Sequence, residues 1–96
     1  MSSDPYRFLL DMNGFSHYAG PEGKGYACTF RAEEKHGAVS YAVVLCDRYG
    51  NRVLGFDNSH GYDHDHPPRK GKPYRFTTGE NLIADFYQRV DAYFRS

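Results

Sequence analysis

Apolar and polar residues alternate in several stretches of the chain and recur at helical spacing in one more. Tyr26, Cys28 and Phe30 alternate with Ala27, Thr29 and Arg31, the period of two expected of a strand with one buried face. A polar turn follows at Glu33-Glu34-Lys35-His36-Gly37. In the next run Val39, Tyr41, Val43 and Leu45 fall on one face, and Ala42, Val44 and Cys46 on the other. Both sets are apolar, which predicts a central strand over 39–46, covered on both sides. Asp47-Arg48-Tyr49-Gly50-Asn51 fits a type I turn, with Asp first and Gly fourth. Arg52-Val53-Leu54-Gly55-Phe56 then returns as the hairpin partner. Upstream, Arg7-Phe8-Leu9-Leu10-Asp11-Met12 reads as a first strand, and the glycine-rich stretch from Asn13 to Lys24 as a loop.

The helical period appears at the C-terminal end. Leu82, Ile83, Phe86, Val90, Tyr93 and Phe94 form one apolar stripe over a helix predicted for 77–94. Glu80, Asp85, Arg89 and Asp91 remain for water. Thr77 and Glu80 match a capping box, in which hydroxyl and carboxylate each satisfy an orphan backbone N–H. The elements assemble into an α+β fold: an antiparallel β-meander of about four strands with one C-terminal α-helix packed on one face. The 96 residues make a single domain. Within it we distinguish an N-terminal strand and loop (1–24), central antiparallel strands (25–57), a His-rich and basic segment (58–76) and the helix (77–95).

Composition narrows the function classes. Twelve Lys+Arg balance twelve Asp+Glu, and a formally neutral chain argues against non-specific coating of nucleic acid. Aromatics reach 17%, which argues against disorder and lets a thin core draw on large rings. No run approaches the ~18 apolar residues of a membrane span. The N-terminus shows no basic region leading into an apolar one, so a cytosolic protein is expected. Cys28 and Cys46 are too few for a disulfide scaffold and sit in β-type runs, as small hydrophobes. His17 and His36, isolated in loops, read as plain surface residues.

Chemistry concentrates between Asp57 and Phe76. His60, His64 and His66 fall within seven residues, followed by Arg69, Lys70, Lys72 and Arg75. Three readings of this segment stand side by side. In a metal site, His60, His64 and His66 supply the ligands, with Asp63 or Asp65 ligating or orienting an imidazole. In metal-independent cleavage of RNA, histidines near their ordinary pKa of ~6.5 serve as base for the 2′-hydroxyl and acid for the leaving oxygen. Arginine and lysine then hold phosphate, and Tyr62 or Tyr74 stacks on an unstacked base. In the third reading the segment is a solvated loop shaped by Asx turns at Asp57 and Asn58.

The run His36-Gly37, Ser40-Tyr41, Leu45, Asp47, Gly50 and Arg52-Val53-Leu54-Gly55-Phe56-Asp57-Asn58 with His60 resembles the central hairpin of the TumE-like toxin family of prokaryotic toxin–antitoxin systems. The resemblance continues through Asp63-His64-Asp65-His66 and Pro73-Tyr74-Arg75-Phe76 to Leu82, Asp85-Phe86 and Val90-Asp91. It implies a small cytosolic toxin encoded beside an antitoxin with a DNA-binding domain, which neutralises it by direct binding. It carries Asp57, Asn58, His60, Asp63, His64, His66 and Tyr74 over as site positions. Joined to the residue chemistry, the expectation is action on RNA without a cofactor. His64 and His66 share the acid and base roles, His60 orients or substitutes, and Asp63 holds a tautomer. Asp57, Asn58, Arg69, Lys70, Tyr74 and Arg75 bind substrate. A non-catalytic protein-binding module, its sheet edge pairing with an antitoxin strand, is the alternative from another class. The same edges also leave room for a homodimer.

Overall fold

The computed structural model describes residues 4–58, 64–66 and 72–96, with the backbone alone at 64–66 and 72. In chain order the elements are α1 (Arg7–Asp11), β1 (Ser16–Tyr18), β2 (Ala27–Lys35), β3 (Ala38–Cys46), β4 (Arg52–Asp57), β5 (His64–His66), β6 (Lys72–Pro73) and α2 (Gly79–Arg95). The strands form one sheet in sequence order, each antiparallel to the next. The expected meander with a C-terminal helix is therefore present, flanked by the short strands β1, β5 and β6.

Local chemistry fixes the registers. His36 and Gly37 both hold positive φ, 54° and 79°, between the paired Lys35 and Ala38. This two-residue turn matches the right-handed twist of the strands it joins. The β3–β4 turn runs as predicted: the Gly50 amide donates to the Asp47 carbonyl at 3.0 Å, and Gly50 has φ 85°. The Asp47 carboxylate accepts from the amides of Asn51 and Tyr49, bonds that hold it below the usual carboxylate range. A register shift at Leu45/Cys46 pairs Leu45 with Leu54 but Cys46 with Arg52, leaving Val53 as the extra residue of a bulge.

The core lies between the sheet and α2. Cys28, Phe30, Tyr41, Val43, Leu45, Leu54 and Phe56 from the sheet are buried with Leu82, Ile83, Phe86 and Val90 from the helix. The Phe86 ring meets Phe30 edge-on at 5.8 Å between centroids, a geometry favoured by the ring quadrupoles. Arg89 lies 5.9 Å over the Phe56 ring. Helix α2 starts later than the capping box predicts. Thr78, extended at φ −142°, is the N-cap, and its hydroxyl accepts from the Asn81 amide at 3.1 Å. Thr77 instead receives the Asn81 side-chain amide at 2.9 Å. The cap thus works through Asn81, the third helical residue, and shifts by one position.

Three expectations are corrected. The predicted first strand over 7–12 is the helix α1. Its Phe-Leu-Leu run has no period-2 pattern, and only Leu9 is buried while Phe8 is exposed. A short apolar run does not discriminate strand from helix. The loop over 13–24 contains β1, which pairs Ser16 with Thr29 and Tyr18 with Ala27. Finally, β3 is central but covered on one side. Tyr41, Val43 and Leu45 are buried, whereas Ala42, Val44 and Cys46 are half-buried, and among the described residues no element lies over them. The two cysteines are free. Cys28 is on the core face and Cys46 on the opposite one, as their partners show.

Candidate functional site

The face of the sheet turned away from α2 gathers the polar chemistry. Leu54 and Phe56 pair with Leu45 and Val43 on the helix side, so Gly55 and Asp57 share the outer face with their partners Val44 and Ala42. Strand β5 adds to this row by register: His64 lies opposite Asp57, and His66 opposite Gly55. Directly opposed residues in an antiparallel pair have Cα atoms ~4.5–5.5 Å apart. Both histidines therefore occupy outer-face positions, His64 opposite a carboxylate and His66 opposite a glycine.

Asp57 is the buried charged residue among the described side chains, at 5% exposure. Such burial demands a partner. Arg52 supplies one, donating from its guanidinium to Oδ2 at 3.1 Å. The two are five positions apart in sequence, but the bulge at Val53 returns Arg52 to the outer face. The pair is half-open, because the Arg52 side chain remains 44% exposed. Its arrangement keeps a negative charge fixed next to the strand that carries His64.

The remaining predicted residues divide. Asn58 is engaged with the backbone: its carbonyl oxygen accepts from the Tyr41 amide at 3.0 Å and its NH₂ donates to the Val39 carbonyl at 2.8 Å. It thus extends the β3–β4 ladder with a side chain. Tyr74 lies on the helix side, its ring 4.6 Å from Phe56 and its hydroxyl donating to Asp85 at 2.5 Å. Arg75 is exposed between the half-buried Tyr74 and Phe76. The register brings Asp57 together with the His64 and His66 positions, whereas the Tyr74 ring packs on Phe56 on the helix side. His60, Asp63, Arg69 and Lys70 lie outside the described residues.

Two outer-face cations escaped the sequence reading. Arg52 is the partner of Asp57, and Arg31 projects from β2 opposite Ala42. The alternation that buries Cys28 and Phe30 was a sufficient signal for Arg31. His17, expected as a plain surface residue, is held at both ring nitrogens. Its Nδ1 donates to the Tyr18 carbonyl at 2.8 Å, and its Nε2 lies 2.7 Å from the Tyr87 hydroxyl. A carbonyl only accepts, so in the neutral ring Nε2 accepts the Tyr87 proton. This bond ties β1 to α2.

A family model described as Toxin TumE matches residues 24–94, well over half of the chain. The chain belongs to the TumE toxin family. The matched span runs from the end of the glycine-rich loop through β2–β6 to α2, and so contains Asp57, His64, His66, Arg31 and Arg52. Helix α1 and strand β1 lie outside it. The comparisons with curated proteins and with solved structures give no match. Among the described residues no helix is long and apolar enough to cross a membrane.

Proposed function

We propose that this TumE chain is the cytoplasmic toxin of a toxin–antitoxin pair and acts on RNA as a metal-independent ribonuclease. Membership of a toxin family supports the first half. It also implies an antitoxin partner, which we take to carry a DNA-binding domain. The observation that carries the second half is the β4–β5 register, which sets His64 opposite the buried Asp57 and His66 on the same face. Residues i and i+2 of a strand are about 7 Å apart along it, a spacing that lets two imidazoles flank one phosphodiester.

In this reading one imidazole removes the proton of the 2′-hydroxyl, whose oxygen attacks phosphorus. The bond from phosphorus to the 5′-oxygen breaks, and the second imidazole gives that oxygen a proton. The products are a 2′,3′-cyclic phosphate and a 5′-hydroxyl. Asp57, fixed by Arg52, is a positioning residue that orients the His64 ring and favours its charged form. His60 and Asp63 support the same rings, while Arg69, Lys70 and Arg75 hold phosphate.

Expression of the wild type against a His64→Ala/His66→Ala double variant, with total RNA recovered from both, tests the reading. Growth arrest with cyclic-phosphate fragments is expected from the wild type. The variant should lose a general acid–base contribution of about 10²–10⁴ in rate while its thermal midpoint stays within a few degrees. Cleavage should follow a bell-shaped pH profile with limbs around the histidine range of ~6.5. Undiminished arrest and cleavage by a folded double variant would sink the proposal.

A further inference from the structure

The row that holds Asp57 and His64 continues across the sheet. Arg31 pairs with Ala42, Ala42 with Asp57, and Asp57 with His64, so β2, β3, β4 and β5 each place one residue on a transverse line. At ~4.8 Å between strands, the line from β2 to β5 is about 14 Å long. The adjacent row runs Thr29, Val44, Gly55 and His66 by the same registers. Between the two ends lie Ala42, Val44 and Gly55 and the Arg52-paired Asp57.

Charge on this face is mostly matched already. Glu33 is paired with Lys35 at 3.4 Å, and Arg52 is engaged by Asp57 at 3.1 Å. Arg31 is exposed and takes part in no ion pair with a described residue. Beside it opens a pocket of about 220 Å³ lined by Asn13, Arg31, Ser40 and Ala42 and by Glu33, whose carboxylate is engaged by Lys35. The pocket thus offers a guanidinium fork with a hydroxyl close by, a combination suited to phosphate oxygens.

We infer that Arg31 binds a phosphate of single-stranded RNA lying along this row, flanking the phosphodiester at His64. The inference rests on the ribonuclease reading of the His64 face and adds to it the path of the substrate. The strand crosses β2 to β5 at right angles, its backbone held at the Arg31 end and its reacting bond at the β5 end. Contacts of this kind position the chain without reading sequence. The face therefore selects for a flexible, unpaired backbone over a base order.

Binding of a fluorescein-labelled oligouridine to the full chain, measured in a His64→Ala background across a salt series, tests the path. Adding Arg31→Ala should weaken binding about tenfold near 0.1 M salt and reduce the salt slope by about 0.7, the release expected for one single-strand phosphate contact. Arg31→Lys should keep most of the slope. Lys24→Ala, in the glycine-rich loop away from this face, should change neither quantity. If Arg31→Ala leaves affinity and slope unaltered while the wild type cleaves RNA, the path is wrong and the ribonuclease reading survives. If no form binds oligouridine and the wild type leaves RNA intact, both fall together. Intact RNA binding by Arg31→Ala with weakened antitoxin binding would assign Arg31 to a protein interface and overturn the inference.

Discussion

The two faces of the sheet are built from the same strands, one residue out of step. On one, Phe30, Val43, Leu45, Leu54 and Phe56 are buried against α2. On the other lie the exposed Arg31, the half-buried Thr29, Ala42 and Val44 and the buried Gly55 and Asp57, with the His64 and His66 positions in the same rows. Stability is concentrated on the first face and titratable chemistry on the second. Because side chains alternate strictly along a strand, a substitution on one face leaves the other face's residues in place. Loss of fold and loss of function should therefore be separable by position.

The strongest way to break that contrast is to remove an anchor from each face. Phe86 is fully buried and packs edge-on against Phe30. Phe86→Ala should cost about 3–5 kcal/mol, the transfer and cavity terms of a large core ring. Val44, half-buried on the outer face, should cost about 1 kcal/mol as Val44→Ala. Urea unfolding of both variants measures the difference. Equal losses would mean that the outer face is as well packed as the core.

A cysteine on each face sharpens the contrast. Burial, with Cys46 nearby, raises the Cys28 thiol from 9.0 to about 11. The folded chain therefore favours the neutral thiol, and the contribution of its burial is fully present below pH 9. Between about pH 9 and 11 the unfolded chain releases a proton that the folded chain keeps. Stability should then fall by about 2.7 kcal/mol, at ~1.36 kcal/mol for each pH unit. The alkaline slope of unfolding free energy should be shallower in Cys28→Ala, even though Tyr87 and Tyr93 also titrate upward of their ordinary range. Cys46 is raised as well, chiefly by burial, but it is half-exposed and should react with a thiol reagent in native buffer. Cys28 should react only on unfolding. Labelling of both thiols at one rate in the native state would contradict their assignment to opposite faces.

The extent to which these faces could be read from sequence follows from how local their causes are. Alternation at 26–31 and 39–46, the Asp47–Asn51 turn and the stripe from Leu82 to Phe94 are local patterns, and each led to the right element. The N-terminal segment was misread because Phe8-Leu9-Leu10 is too short to carry a period, and its helix is settled by the burial of Leu9. Strand β1 is three residues inside a glycine-rich stretch, made a strand by pairing with β2. The candidate site was legible as residue types, since carboxylate and histidines stood out around residues 57–66. Its assembly was not legible. The opposition of His64 to Asp57 depends on where β5 joins β4, and the Arg52–Asp57 pair depends on a one-residue bulge. Asn58 and Tyr74 show the converse: their polar groups suit a site, yet each is used by the fold.

A last effect, smaller than the loss of a core ring, probes how closely the outer face is fitted. A Cβ on Gly55 would lie 2.6 Å from the Val43 carbonyl oxygen and 2.8 Å from Val44 Cγ1. The first contact is with backbone and cannot be relieved without moving β3 relative to β4, whereas the second is with a side chain that can rotate. Gly55→Ala should thus cost about 1–2 kcal/mol, within the usual range of overpacking. Gly55→Ala/Val44→Ala should recover only the part due to Val44, so the two losses should be non-additive. Since Gly55 also pairs with His66, the strain falls on the strand that sets the histidine register, and RNA cleavage should drop more than stability does. Full recovery of stability in the double variant would place the whole clash on Val44. Unchanged cleavage in a measurably destabilised Gly55→Ala would show that the histidine positions do not depend on the fit of β3 to β4.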